Sequence, residues 1–182
     1  MTPNEIPPLA IGAITAALIT AAISLLGLII SKEQKVSEFR QAWIDALRTE
    51  LSSVISHANA LCDVRSLTNL TLMEKWALGR ENLTKINTDV SSIRLRLNKD
   101  EPEAQAILKS LDALESAFSS REDIDITPRI HEIESDLIEK SQIFLSKEWS
   151  RVKNGEPIYN FSKYAALVII IVLLILGVYF FI

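Results

Sequence analysis

Residues 9–30 read LAIGAITAALITAAISLLGLII, which is 22 residues without a charged side chain. An α-helix rises about 1.5 Å per residue, so a run of this length can cross a hydrocarbon layer about 30 Å thick. Residues 164–182 form a second uncharged run, YAALVIIIVLLILGVYFFI. We therefore predict two transmembrane helices, one over 9–30 and one over 164–182.

The charged residues lie almost entirely between these two runs. All 19 Lys and Arg residues fall between Lys32 and Lys163, and of the 23 acidic residues only Glu5 lies outside those limits. Basic residues next to a span favour the cytoplasmic side of a membrane. The basic residues close to the two runs are Lys32, Lys35, Arg40, Lys147, Arg151, Lys153 and Lys163. This pattern predicts a cytoplasmic middle and both termini on the far side.

A cleaved signal peptide is the alternative interpretation of the first run. Residues 1–8 contain Glu5 and no Lys or Arg, and the apolar run exceeds the roughly 7–15 residues of a signal's apolar region. We therefore expect a retained span behind a short outer segment, 1–8. The single cysteine, Cys62, agrees with a reducing compartment.

The first run has one small, faintly polar side. Gly12, Ala16, Thr20 and Ser24 recur at steps of four. In lipid, small residues let helix backbones approach closely, and hydroxyl groups can hydrogen-bond across helices. We predict that this face packs against another span in a homo-oligomer, the alternative being an Ala-rich span without a special role. Neither run contains an ionisable residue, which argues against a proton relay or ion-coupled transport.

The residues between the runs show helical periodicity throughout. Apolar residues at steps of three and four predict two long helices, and the region around Pro102–Phe118 predicts a third. Thr127 and Pro128 then favour the start of a fourth helix that ends near Lys153. The two long stripes are Val36, Phe39, Trp43, Leu47, Leu51, Val54, Ala58 and Leu61, followed by Leu72, Trp76, Gly79, Leu83, Ile86, Val90, Ile93 and Leu97.

An even number of helices returns the chain to the membrane after it has left. We therefore predict an all-α protein, with a cytoplasmic antiparallel bundle of about four helices over 31–157 and an interfacial segment over 158–163 before the second span. The first bundle helix is expected to continue directly from the first span. Residues 119–125 are expected to form an acidic loop.

The sequence offers no convincing catalytic or metal-binding constellation. It has two histidines, His57 and His131, and no paired cysteines or Gly-rich phosphate loop. A metal site would have to use His131 with Glu132, Glu134 and Asp136, whose carboxylates we expect on the solvent-facing side of a helix. We expect His57 at the surface or the edge of the bundle. No enzymatic activity, cofactor or metal is predicted.

Nucleic-acid chemistry is equally weakly supported. Some helical nucleases use an Arg followed a few residues later by a His, but Arg129 and His131 are too close together for that motif. Arg94, Arg96 and Lys99 cluster, yet acidic residues follow at once. We expect no direct binding of nucleic acid.

Residues 31–48, SKEQKVSEFRQAWIDALR, follow the first run directly. This segment, with a span at each end of the chain, resembles small bacterial inner-membrane proteins of mobile elements and phage-defence loci, including the two-span effectors that accompany retrons. Such effectors are held silent by a reverse transcriptase with its RNA–DNA product and damage the cell membrane when released. The resemblance implies an abortive-infection toxin of the bacterial inner membrane.

Two sets of residues follow from this hypothesis. Gly12, Ala16, Thr20 and Ser24 would associate the spans within the lipid bilayer. Phe39, Arg40, Trp43 and Arg48 are candidates for a regulatory contact, although burial in the bundle core is the favoured interpretation of Phe39 and Trp43. The main alternative function is a membrane-anchored helical scaffold that recruits a cytoplasmic partner.

Overall fold

The computed structural model describes residues 8–119, 126–154 and 157–181, and within these ranges the chain consists of helices and short connections and contains no strand. The all-α prediction is confirmed. The predicted loop, apart from Ser119, and residues 1–7 of the predicted outer segment lie outside the described residues. The helices are α1 (Pro8–Ser66), α2 (Leu72–Arg96), α3 (Pro102–Ser119), α4 (Thr127–Asn154) and α5 (Pro157–Phe181).

The helix boundaries follow local sequence signals. Thr71 and Glu74 form a capping box at the start of α2, in which the Thr71 amide donates to the Glu74 carboxylate at 2.8 Å. Helices α3 and α5 each begin at a proline, which has no amide proton to lose in the first turn. The predicted starts at Pro102 and Thr127 are confirmed, as is the continuation of the first helix beyond residue 30.

The chain divides into two compact units. The apolar unit comprises Met1–Arg40 and Arg151–Ile182, and the central unit comprises Gln41–Ser150. By length and composition, two helices are apolar enough to cross a membrane, one within Gly12–Ser66 and one within Thr127–Ile175. The most apolar window of the first contains no buried residue, and only 6% of that of the second is buried. These apolar surfaces therefore have no protein partner large enough to cover them within the described residues.

The central unit is built around one hydrophobic core. Side chains from α1, α2, α3 and α4 contribute to it, and many are fully buried. Such burial contributes roughly 25 cal/mol for each Å² of apolar surface removed from water. The buried core residues are Leu47, Leu51, Val54, Ala58, Cys62, Ile86, Val90, Ile93, Leu97, Ala104, Ile107, Leu111, Leu114, Ala117, Ile126, Ile130, Leu137 and Phe144.

Polar contacts set the register of α1 against α2. Arg96 donates to Glu50 at 2.9 Å, Ser53 donates to Asp89 at 2.6 Å, and His57 Nδ1 lies 2.9 Å from Asn82 Oδ1. Residue numbers rise along one helix as they fall along the other, so α1 and α2 run antiparallel in this unit.

Helices α3 and α4 also run antiparallel. Ser110 donates to Asp136 at 2.6 Å, and Lys147 donates to Glu103 at 2.7 Å. Helix α4 in turn runs antiparallel to α1, since the Trp43 ring packs 6.0 Å from that of Phe144 and the Asn59 side chain lies close to Glu134. These contacts fix the direction of all four helices within the central unit.

The predicted apolar stripe of α2 is only half correct. Its second half, from Ile86 to Leu97, is buried, as is Gly79. Leu72, Trp76 and Leu83 are instead 85%, 57% and 37% exposed. The polar contacts between α3 and α2 join Arg94, near the C-terminal end of α2, to Asp112 and Glu115.

Candidate functional site

The predicted packing face lies on α1 in the apolar unit. Gly12 is half-buried, and Ala16, Thr20 and Ser24 are exposed. Thr20 Oγ1 donates to the Ala16 carbonyl oxygen and Ser24 Oγ to the Thr20 carbonyl oxygen, both at 2.9 Å. Each hydroxyl proton is therefore satisfied within the helix, and the face needs no polar partner to lie in an apolar medium. Close approach of small residues, more than hydrogen bonding, is what this face offers a second helix.

The four candidate regulatory residues have different environments. In the apolar unit, Phe39 is 75% exposed, so the prediction that its side chain is in the bundle core is wrong. Arg40 is half-buried in the same unit. In the central unit, Trp43 packs against the core and the Phe144 ring, as predicted, whereas Arg48 pairs with Asp45 on its own helix at 2.9 Å.

Phe39 belongs to a small groove at the end of the first apolar run. Leu28, Lys32, Lys35 and Val36 line the groove beside it, around a volume of about 450 Å³. Cationic and apolar side chains lie next to one another there within about three turns of one helix. This combination suits the boundary between lipid headgroups and acyl chains.

Helix α4 buries a polar stripe, which sequence reasoning missed. Its inward residues alternate between an apolar series at steps of seven (Ile130, Leu137, Phe144) and a polar series at the same steps, which consists of Glu134, Ser141 and Glu148. The expectation that Glu134 faces solvent is wrong, because Glu134 lies four residues after Ile130 and three before Leu137. That spacing places it on the core face, where it is 7% exposed.

The polar stripe is incompletely satisfied. The Asn59 side chain lies close to Glu134, but Glu134 Oε1 and Ser141 Oγ have no hydrogen-bond partner among the described residues. Burial raises the pKa of Glu134, against smaller opposing effects of Asn59 and His131. Burial also raises the pKa of the nearby Cys62 thiol, and Glu134 adds to that shift. An unsatisfied buried polar atom costs about 1–3 kcal/mol, so this stripe weakens the core that contains it.

The Glu134 carboxyl should make the central unit less stable as pH rises. Its pKa is raised in the folded state. The protonated carboxyl therefore contributes fully to stability below the ordinary pKa of a glutamate, and this contribution is lost as pH rises through the raised pKa. Glu134→Gln should remove this loss and increase the free energy of unfolding near pH 8 by about 1 kcal/mol. Urea unfolding followed by circular dichroism between pH 4 and pH 8 measures the effect.

Glu132→Gln is the matched control, because Glu132 is exposed on the same helix. It should leave the pH profile of stability unchanged. An unchanged profile in Glu134→Gln as well would exclude Glu134 as the source of the pH dependence.

The two histidines lie on different helices, His57 on α1 and His131 on α4. His57 is half-buried at the edge between α1 and α2 and contacts Asn82, and His131 is exposed. The described residues contain no group of three or more His, Cys, Asp or Glu side chains that could hold a metal ion. Asp89 is a further buried carboxylate that sequence reasoning missed; it accepts from Ser53 and lies 3.7 Å from Lys85 Nζ.

The candidate functional parts are thus a small-residue face on a long apolar helix, a half-exposed apolar stripe on α2, and a destabilising polar stripe in the central core. Comparison with known proteins identified no relative: no family model, curated protein or solved structure matches the chain.

Proposed function

We propose that this chain is a membrane-disrupting effector of a bacterial anti-phage, abortive-infection system. A cytoplasmic partner holds it inactive, and on release it depolarises the inner membrane. The observation that carries the proposal is the pair of long apolar helices, almost none of whose residues are buried, in a chain that concentrates its charge between them. The resemblance of residues 31–48 to two-span effectors supplies the biological setting.

The proposed topology places a cytoplasmic antiparallel four-helix bundle between spans 9–30 and 164–182. The register contacts of the central unit support the antiparallel arrangement, because each of α1, α3 and α4 runs opposite to a neighbour. The basic residues next to both apolar runs support a cytoplasmic middle, with the two termini outside. Lys32 and Lys35, in the groove beside Phe39, would meet the lipid headgroups.

The proposed mechanism is a change of packing in the bundle that alters the association of spans. Helix α1 is uninterrupted from Pro8 to Ser66, so one helix carries both the small-residue face and core residues of the central unit. The polar stripe of α4 lowers the cost of repacking that core. In the released state, several copies associate through Gly12, Ala16, Thr20 and Ser24 and perturb the bilayer as a homo-oligomer.

The proposed regulator is a cytoplasmic protein, in this setting a reverse transcriptase with its RNA–DNA product. No catalytic step by the effector is needed, because movement of ions through a perturbed bilayer dissipates the membrane potential directly. The second candidate function, a membrane-anchored scaffold, is favoured by the exposed half of the α2 stripe, which is a surface that a recruited protein could cover.

A voltage-sensitive dye tests the proposal in bacteria in which this chain alone is induced. We expect depolarisation before growth stops, and leakage when the purified chain is added to anionic vesicles loaded with a self-quenching dye. An unrelated two-span protein, induced to the same level in the membrane fraction, is the control. If the chain is membrane-bound and leaves both the potential and the vesicles intact, the effector function is wrong and the scaffold is favoured.

A further inference from the structure

The groove beside Phe39 lies where α1 leaves the first uncharged run. Its residues recur at steps of three and four, so they share one face of the helix. All of them belong to α1 and to the apolar unit, so the groove does not depend on the packing of the central unit. The residues that line it are Leu28, Ser31, Lys32, Lys35, Val36 and Phe39.

Two lysines lie between two large apolar side chains along this face. Leu28, Lys32, Lys35 and Phe39 follow one another at steps of four, three and four. Leu28 is 69% exposed and Phe39 is 75% exposed, and both lysines are exposed as well. This order of apolar and cationic groups matches a phospholipid, in which an anionic phosphate adjoins apolar acyl chains.

The axial positions of these residues match the layers of a bilayer. In the proposed topology the hydrocarbon layer ends near residue 30, and Leu28 lies among the acyl chains. Lys32 and Lys35 lie about 3 and 7 Å beyond that level, within or at the edge of a headgroup layer about 5–7 Å thick. Phe39 lies further along the axis, but the Cβ atoms of a helix tilt toward its N-terminus, which brings the ring closer to the headgroups.

The charge of the groove favours an anionic headgroup. None of the residues that line it is acidic. Glu33 and Glu38 are close in sequence but lie outside the groove, and Glu38 accepts a hydrogen bond from Gln34 at 2.9 Å. Lys32 and Lys35 are three residues apart on one face, so both ammonium groups can reach the same phosphate. Each lysine near the membrane surface adds to the attraction for anionic lipid.

The start of α5 has the same chemistry at the second uncharged run. Phe161 and Tyr164 are 76% and 64% exposed, and Lys163 Nζ lies 5.8 Å from the centroid of the Tyr164 ring. Exposed aromatic rings beside lysines are typical of the boundary between membrane and water. Because both runs have such residues at their charged side, a lipid is favoured over a protein as the occupant of the groove on α1.

We propose that the groove on α1 binds an anionic phospholipid, whose phosphate lies between Lys32 and Lys35 and whose acyl chains lie against Leu28. Phe39 covers the headgroup on its aqueous side. The inference rests on the topology of the proposed function and deepens it, because it names the class of lipid that α1 recognises at the cytoplasmic surface. A lipid bound there would fix the level of α1 in the bilayer.

Native mass spectrometry of the full chain, released from a neutral detergent, tests the proposal by counting bound phospholipids. Titrations with phosphatidylglycerol and with phosphatidylcholine each give an apparent Kd for the first bound lipid. We expect phosphatidylglycerol to bind at least about tenfold more tightly than phosphatidylcholine. Lys32→Gln/Lys35→Gln should reduce this ratio to less than about threefold, because it removes both cations from the groove.

Lys99→Gln/Lys109→Gln is the matched control, since it removes the same charge at two exposed positions of the central unit. It should leave the ratio of the two Kd values unchanged. Phe39→Ser should weaken binding of both lipids by a similar factor, at least about threefold, because it removes apolar surface and keeps the lysines. Circular dichroism checks that all variants keep their helix content.

Two results would overturn the proposal. Equal binding of the two lipids removes the anionic preference, and a preference that survives in Lys32→Gln/Lys35→Gln assigns it to basic residues outside the groove. Neither result depends on membrane depolarisation. A chain that binds phosphatidylglycerol selectively and leaves the membrane potential intact would keep the lipid site and lose the effector function, so the two failures are distinguishable.

Discussion

Cells that express the Gly12→Leu/Ala16→Leu variant should keep their membrane potential, whereas cells that express the unchanged chain should depolarise. The two substitutions place branched side chains where the α1 backbone would otherwise approach a second helix closely. Overpacking typically costs about 1–3 kcal/mol per site, so the pair should weaken association of the spans at least about 30-fold. The voltage-sensitive dye and growth after induction are the two measurements.

Ala22→Leu provides a matched control for these substitutions. Ala22 lies in the same apolar run, on the side of the helix roughly opposite the line through Ala16 and Thr20. It adds the same side chain without obstructing the packing face, and depolarisation should persist. If Gly12→Leu/Ala16→Leu depolarises as fully as the unchanged chain at equal membrane abundance, the small residues are not the packing surface.

Local signals along the chain were sufficient to predict the helices themselves. Pro102 and Thr127 fixed the starts of α3 and α4, since a proline is tolerated in the first turn and a threonine favours a helix start. Much of the core was also predictable, because Leu47, Leu51 and Val54 recur at helical spacing in a polar setting. Spacing and residue type decide these features without knowledge of neighbouring helices.

The exposure of the N-terminal half of the α2 stripe was not predictable, because it depends on the positions of neighbouring helices along α2. Leu72 and Trp76 have the same spacing as Ile86 and Val90, so periodicity alone assigns all four to the core. Whether they are covered depends on where the neighbouring helices lie along α2, and periodicity within one helix does not carry that information.

Residue type misled the interpretation of Glu134 and Phe39. A carboxylate is expected in water and a phenyl ring in the core, yet Glu134 is buried and Phe39 is 75% exposed. In α4 the spacing relative to Ile130 and Leu137 could have identified the buried position, but polarity was given more weight. For Phe39 no comparable spacing signal exists, because Val36, Phe39 and Trp43 form a regular stripe.

Leu111→Ala should destabilise the central unit by about 3 kcal/mol, which is a large share of the 5–15 kcal/mol typical of a folded domain. Leu111 on α3 is fully buried, and its removal leaves a cavity in a core already weakened by Glu134 and Ser141. Urea unfolding of the full chain in detergent, followed by circular dichroism, gives the change. Leu95→Ala, with the same truncation at a 90% exposed position of α2, should change stability by less than about 0.5 kcal/mol.

Leu111→Ala also tests whether the two parts of the proposed mechanism, bundle packing and association of the spans, are coupled. If the packed central unit keeps the spans silent, Leu111→Ala should depolarise cells at a lower level of expression than the unchanged chain. Adding Gly12→Leu/Ala16→Leu should abolish this increased depolarisation, since in the proposed mechanism the spans associate after the bundle has changed its packing. A destabilised bundle that depolarises no more readily, or a triple variant that still depolarises fully, would show that bundle packing and span association are not coupled in this order.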